Sequence, residues 1–321
     1  MIALLKKPYR YAVIFSILLL LLTAFVLLDT FLISHAISSA GSSESIAVSA
    51  VQDTPSASPQ AADAIETAAP VVSTVPQITS NSYTSDTVQI QLSQLRVCDS
   101  NVYVADVQLS DPSALYTVLA DDSYGTNLTE NTSSMASRTN AILAVNGDYY
   151  GAGSRGLVIK NGVLYRDSIR RNIGAVDLVL FSDGHMETVT EGTVDAQTLL
   201  AQGAVQSFAF GPVLVQNSTV AVEPDQGVSQ FTSCNPRTAI GCVDALHYIF
   251  LVSDGRTSQS SGLSLYELAG FLADYGCQTA YNLDGGGSSV MVFNGSVVNQ
   301  PTTNGKKIKE RAVSDCVCIA G

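Results

Sequence analysis

Residues Tyr281 to Gly295 read YNLDGGGSSVMVFNG: an aspartate, three consecutive glycines and two serines between two apolar stretches. Glycine loses more freedom on folding than any other residue, so such a run inside a domain implies that something approaches its backbone closely. A nucleotide P-loop needs a lysine and a following helix, but Gly285 to Ser289 has no lysine and leads into VMVF, a strand pattern. A dinucleotide fingerprint needs glycine where Val290 stands, and Val290 also breaks a Gly-x-Ser-x-Gly nucleophile elbow. The run is read as a loop between strands, headed by Asp284. Its successive amides, with the Ser288 and Ser289 hydroxyls, suit an anion; the plainer reading is a tight turn in which Asp284 bonds its own loop.

Strand signals surround this loop. Val88, Ile90 and Leu92 alternate, as do Val102 and Val104, and Ala141 to Asn146 (AILAVN) reads as a buried strand. Leu157 to Tyr165 is a hairpin around Asn161 and Gly162, Val176 to Val189 is another around Asp183 and Gly184, and Leu246 to Arg256 is a strand entering a turn. The clearest helix runs from Ser264 to about Tyr275. Ser264 and Glu267 form a capping box, an apolar stripe follows, and Gly276 stops it. A weaker helix covers Asp195 to Gln202. Many strands with few helices predict an α+β domain around one mixed, largely antiparallel sheet.

The first quarter of the chain differs in kind. Lys6, Lys7 and Arg10 precede the apolar run Tyr11 to Leu28, which extends to Ile33, and no Lys or Arg follows until Arg96. The expectation is a single-pass membrane anchor over residues 1–33 with the N-terminus inside. The alternative is a cleaved signal peptide with Ser34 to Ala36 as its small-residue site; the length of the run favours the anchor. Residues 34–81, rich in Ser, Ala, Thr and Pro, read as a flexible stalk, leaving 82–321 as the globular domain on the extracellular side of the cell membrane.

A net charge of −12 argues against nucleic acid as a partner, so any anionic ligand must meet a local cluster of cations. The six cysteines do not follow zinc spacing, and their pairing stays open. Cys234 and Cys242 are candidates to staple the loop between them, and Cys316 and Cys318 are expected on opposite faces of the last strand. With three histidines, a histidine-built metal site is not expected and no cofactor is implied. An all-oxygen cation site near Asp254 and Asp284 stays open.

NLDGGGSS (Asn282 to Ser289) resembles the signature of the phosphodiester glycosidase family. AVNGDYYG (Ala144 to Gly151), GLVIKNG (Gly156 to Gly162), GPVLV (Gly211 to Val215), PRTAIG (Pro236 to Gly241), DGR (Asp254 to Arg256), GLSLYELA (Gly262 to Ala269) and RAVS (Arg311 to Ser314) resemble its other blocks in order. The anchored, stalked arrangement is similar to members from Gram-positive bacteria associated with cell-surface and exopolysaccharide metabolism. The resemblance implies hydrolysis between an anomeric carbon and a phosphodiester on a phosphorylated glycan. A phosphate leaving group is a weak base and needs positive charge more than a proton, so the site should pair a carboxylate with arginine.

On that reading Asp284 is the first catalytic candidate and Asp254 the second. Arg237, with Thr238 beside it, and Arg256 are the expected phosphate clamps, since a planar fork binds two oxygens. Arg311 joins them from a basic run with Lys306, Lys307 and Lys309. Gly285, Gly286, Gly287, Ser288 and Ser289 are expected to cradle the phosphate. Asn146 would hold sugar hydroxyls, Tyr150 would offer a ring face, and Asp148 departs from the small residue expected there and stands as either a third site carboxylate or a lineage-specific contact. A non-catalytic phosphoglycan-binding protein is the competing function.

Overall fold

The computed structural model describes residues 7–31, 35–36, 75–170, 174–224 and 232–321. Helix α1 (Lys7–Phe31) contains the apolar run, and its large apolar side chains from Val13 to Val26 are exposed. Over the described residues no helix is long and apolar enough to cross a membrane. Most of the expected stalk lies outside the described residues.

The domain elements follow in order. Strands β1 (Val88–Val97), β2 (Ser100–Leu109) and β3 (Leu115–Leu119) precede helix α2 (Thr132–Thr139) and β4 (Ala141–Asn146). Next come β5 (Val158–Lys160), β6 (Val163–Arg166), β7 (Val176–Phe181), β8 (Met186–Thr190), α3 (Ala196–Ala201) and β9 (Ala204–Phe208). The chain continues through β10 (Val213–Gln216), β11 (Arg237–Asp244), β12 (His247–Ser253), α4 (Leu265–Asp274), β13 (Thr279–Asn282), β14 (Met291–Phe293) and β15 (Asp315–Ala320).

Two large sheets form the body. The first is nine-stranded with β10-β13-β11-β12-β2-β1 at its centre, and the second is five-stranded with β14-β4-β15-β3. Among the described residues every strand pairing is antiparallel, and the one parallel contact is the isolated bridge Glu191–Val194. The fold class is α+β as read, but the expected single sheet is corrected to two large sheets with smaller ones beside them.

Side-chain alternation explains the layering. On β2, Tyr103, Ala105 and Val107 join Leu143 and Val145 of β4 and Val317 and Ile319 of β15 in one cluster between the sheets. Val102 and Val104 point the other way and pack with Leu265, Leu268 and Leu272 of α4. On the far side of the second sheet Ala144, Cys316 and Cys318 pack with Met135 and Ala136 of α2. The order is helix, sheet, sheet, helix. A strand's period reports that both faces are covered but not by what, which is why the sequence suggested one sheet.

The local signals fall where their chemistry demands. Ser264 accepts from the Glu267 amide while the Glu267 carboxylate accepts from the Ser264 amide, closing the capping box of α4. Asp195 caps α3 through the Thr198 amide. Asn161 and Gly162 take φ of 51° and 75° in the β5–β6 turn, the left-handed pair a two-residue hairpin requires. The sequence reading passed over α2, whose polar TSSMASRT carries little periodicity. The expectation for Cys316 and Cys318 was wrong: residues two apart on a strand share a face, and their sulfurs lie 3.4 Å apart.

Candidate functional site

Strand β4 is buried along its whole length and delivers Asn146 to the gap between the sheets. Asn146 Nδ2 donates to the Asp284 carbonyl at 2.6 Å and to the Gly147 carbonyl at 3.3 Å. Its Oδ1 accepts from Thr238 Oγ1 at 2.7 Å and from the Val290 amide at 3.3 Å. Asn146 and Thr238 therefore tie both sheets to the glycine loop, and the Asn146 amide is occupied by the fold rather than open to sugar hydroxyls.

The glycines are needed for reasons internal to the protein. A Cβ on Gly285 would stand 2.9 Å from the Pro236 carbonyl, one on Gly287 would stand 2.3 Å from Thr303 Oγ1, and Gly286 has φ 66° with the Arg256 guanidinium 3.0 Å from its Cβ position. The amides are turned inward as well. Gly285 donates to Asp284 Oδ1, Gly286 to the Pro236 carbonyl, Ser288 to the Gly285 carbonyl and Ser289 to the Gly286 carbonyl. A cradle built from these four amides is not what the structure presents. Ser289 is buried, and its hydroxyl meets no hydrogen-bond partner.

The open side of the loop belongs to Asp284 and Arg311. Arg311 Nη2 lies 3.1 Å from Asp284 Oδ2 and 3.0 Å from the Gly285 carbonyl, and its Nε donates to Ser288 Oγ at 2.9 Å. The arginine side chain is 43% exposed and the aspartate 9%, so the pair forms a rim. Burial raises the Asp284 carboxyl, outweighing the hydrogen bond from Ser288 and the charge of Arg311, both of which lower it. Arg256, with φ 61°, donates to Asn235 Oδ1 and, at 2.6 Å, to the Thr303 carbonyl, which places its guanidinium over Gly286. A cavity of about 460 Å³ adjoins the rim, lined by Lys306, Lys307, Lys309 and Arg311 among others.

Two expected site residues face elsewhere. Arg237 lies on the helix-covered face of β11, opposite Thr238, and its Nε and Nη2 donate to the Leu263 and Ser233 carbonyls at 3.0 and 2.9 Å. Burial lowers it to about 10, with the nearby charges of Cys234 and Arg256 acting in opposite senses. Asp254 is buried, its Oδ1 accepting from the Gln300 amide at 2.7 Å and its Oδ2 from the Tyr103 hydroxyl at 3.2 Å. Burial, then the Asp254 charge, pushes Tyr103 up to about 12, which keeps it a proton donor. Among the described residues no group of three or more His, Cys, Asp or Glu is placed to hold a metal.

A second charged cluster was not read from the sequence. Lys160, 1% exposed, sets Nζ 2.8 Å from Asp315 Oδ2 and 3.7 Å from Asp148 Oδ1, donates to the Ser207 carbonyl, and lies 4.3 Å from the Phe208 ring centre. Burial works against its charge, but Asp148 and Asp315 overcome it and the ammonium is raised overall. Burial pushes Asp315 up to about 6 despite Lys160. Asp148 also accepts from the Tyr150 and Ala209 amides, and Tyr150 is buried in a stack with Tyr124, so neither is at the rim. The missed signal was Lys160 itself: a lysine before an Asn-Gly turn reads as an exposed hairpin end.

The family model described as phosphodiester glycosidase matches residues 139–320, more than half of the chain and all of the Asp284 and Lys160 surroundings. The chain belongs to the phosphodiester glycosidase family. The chain is 34% identical over 213 residues to the SPbeta prophage-derived protein YomE of Bacillus subtilis, covering 65% of this chain and 31% of YomE. It is 27% identical over 196 residues to the N-acetylglucosamine-1-phosphodiester alpha-N-acetylglucosaminidase of Mus musculus, covering 50% and 37%. The chain thus spans about a third of the length of these relatives. The catalytic domain of the zebrafish N-acetylglucosamine-1-phosphodiester alpha-N-acetylglucosaminidase, auto-inhibited by its pro-peptide, shares the fold at a TM-score of 0.58 and 21% identity, covering 78% of this chain and 89% of that one.

Proposed function

We propose that this phosphodiester glycosidase hydrolyses a glycosyl-1-phosphodiester, releasing a sugar and a phosphomonoester from a cell-surface or extracellular glycan. The observation that carries the reading is the Asp284–Arg311 pair at the rim of the family's glycine loop. Water attacks the anomeric carbon, the carbon–oxygen bond to phosphate breaks, the proton lost by water passes to Asp284, and the bonding electrons leave with the phosphate. Arg311, a planar cation beside that carboxylate, meets the charge gathering on the leaving group. Because the amides of Gly285, Gly286, Ser288 and Ser289 are engaged internally, phosphate recognition passes mainly to the guanidinium groups of Arg311 and Arg256. Hydrolysis of a sugar-1-phosphodiester in ¹⁸O-labelled water tests this: label on the sugar supports cleavage at carbon, and label on the phosphate overturns it. Asp284→Asn should remove turnover by about 10²-fold or more, the scale of a transition-state contact.

One observation favours a second reading, in which the site binds phosphoglycan without cleaving it. Asp254, the expected second carboxylate, is enclosed by Tyr103, Asn299 and Gln300. Binding of a sugar-1-phosphodiester with no product formed would decide for it. We also propose that residues 1–33 hold the domain at the outer face of the cell membrane as a single-pass anchor, a reading supported by the apolar run after Lys6, Lys7 and Arg10. Recovery of full-length protein in the membrane fraction, with residues 82–321 open to added protease, is the expected result; recovery only in the soluble fraction would end it.

A further inference from the structure

The segment from Thr303 to Ala312 carries four of the chain's 16 Lys and Arg residues within six positions, in a protein of net charge −12. Its shape is built rather than loose. The Lys309 amide donates to the Pro301 carbonyl at 2.7 Å, Thr302 Oγ1 donates to the Lys307 carbonyl at 2.7 Å, and the Gly305 amide donates to Thr302 Oγ1 at 3.0 Å. A Cβ on Gly305 would stand 2.1 Å from the Arg256 carbonyl, so the segment is seated directly on that residue. Its one acid, Glu310, also lines the cavity, but its carboxylate is engaged at the start of α2, accepting from the Ser133 amide at 3.1 Å and the Ser133 hydroxyl at 2.6 Å.

Apart from Glu310, the charged residues lining the cavity are all positive. Lys306, Lys307 and Lys309 are exposed and make no ion pair with another described residue. Arg311 belongs both to this cavity and to the Asp284 rim. One phosphodiester carries a single negative charge, which Arg311 with Arg256 already answers, so three further lysines exceed what one phosphate requires. Like charges held this close repel one another and weaken the compact state, and a bound polyanion relieves that.

We propose that the Thr303–Ala312 segment is a docking subsite for further phosphates of the substrate, so that the glycan acted on is a polymer with repeating phosphodiester links rather than a single sugar-phosphate cap. This rests on the reading of the Asp284–Arg311 rim as the place of the scissile phosphodiester. The continuity through Arg311 favours a chain threading both places over a membrane surface, which would have no reason to meet Asp284.

The test uses the full chain, with poly(glycerol phosphate) as the polyanion and the methyl ester of a sugar-1-phosphate as the small substrate. The triple variant Lys306→Gln, Lys307→Gln, Lys309→Gln should bind the polymer about tenfold more weakly, the scale of three exposed charge contacts together, and the difference should shrink as salt rises. Turnover of the methyl ester should stay unchanged, and the triple Lys→Arg variant should keep polymer binding. Equal polymer binding by wild type and the Gln variant overturns the proposal, as does a Gln variant whose binding to anionic phospholipid vesicles falls by a larger factor than its binding to the polymer, a comparison in which any contribution of residues 1–33 cancels. Loss of polymer binding in a protein that turns over no phosphodiester at all supports the subsite while removing hydrolysis, so the two failures are told apart.

Discussion

Two carboxylate–cation clusters lie on either side of Gly147 and are built for opposite ends. The Gly147 amide donates to the Asp315 carbonyl, and the Gly147 carbonyl accepts from the Asp284 amide. On one side Lys160, Asp148 and Asp315 are wholly buried; on the other Arg311 is 43% exposed and shares Asp284 with the loop. The same chemistry is structural where water is excluded and available to a ligand where it is not. Buried charges far from solvent lose so much hydration that only their mutual pairing keeps them there, whereas a rim arginine can exchange one anion for another at small cost.

The sharpest way to break this contrast is to remove the buried cation. Lys160→Met should destabilise the domain by about 3–5 kcal/mol, since it leaves Asp148 and Asp315 uncompensated. Denaturant unfolding reads it, and a variant as stable as the parent would show that the buried cluster is not structural. The link comes next. Gly147→Ala places a Cβ 2.2 Å from Asp315 Oδ1 and should cost about 1–3 kcal/mol, while Gly153→Ala, with nothing within 4 Å, serves as the neutral control in the same melts.

The pH dependence of stability reads the buried carboxyls, including one outside both clusters, Asp177. Burial raises Asp315 to about 6 and Asp177, with Arg170 and Glu191 beside it, to about 8. A carboxyl that holds its proton more tightly folded than unfolded contributes stability fully present below about pH 4, the unfolded range, and lost as pH rises through the folded value. Tm should therefore fall between about pH 4 and 8, and Asp177→Asn should flatten the upper part of that fall. A Tm that climbs steadily over this range contradicts the buried-carboxyl account. The smallest effect belongs to the rim. Arg311→Gln should change stability by no more than about 1 kcal/mol, the worth of a half-exposed pair. Because Arg311 lowers Asp284, its removal should shift the Asp284 limb of the pH–activity profile upward; an unmoved limb would detach Asp284 from the arginine.

Much of the fold was legible because its signals are local. The capping box at Ser264 and Glu267, the Asn161–Gly162 turn and the strand Ala141–Asn146 need only neighbours in sequence. The site was legible in part. Asp284 and Arg311 were named as candidates and are in contact, but Arg237, Thr238 and Arg311 read alike as polar residues near motifs, and only the packing of β11 turned the first to the helix face and the second inward. Asn146 and Asp254 read as open polar groups at strand ends, yet partners more than 40 residues away in sequence claim them.

By itself the sequence determined that Gly285–Gly287 is no nucleotide loop, that strands flank it, and that anion binding in so acidic a chain must be local. Tertiary structure decided what the glycines are for. Pro236, Arg256 and Thr303 close on them from three separate segments, so their missing side chains make room for the protein itself. A residue's conformational freedom is written in its own chemistry, but whether protein, water or substrate fills the space beside it depends on chain segments that meet only when folding closes the loops between them.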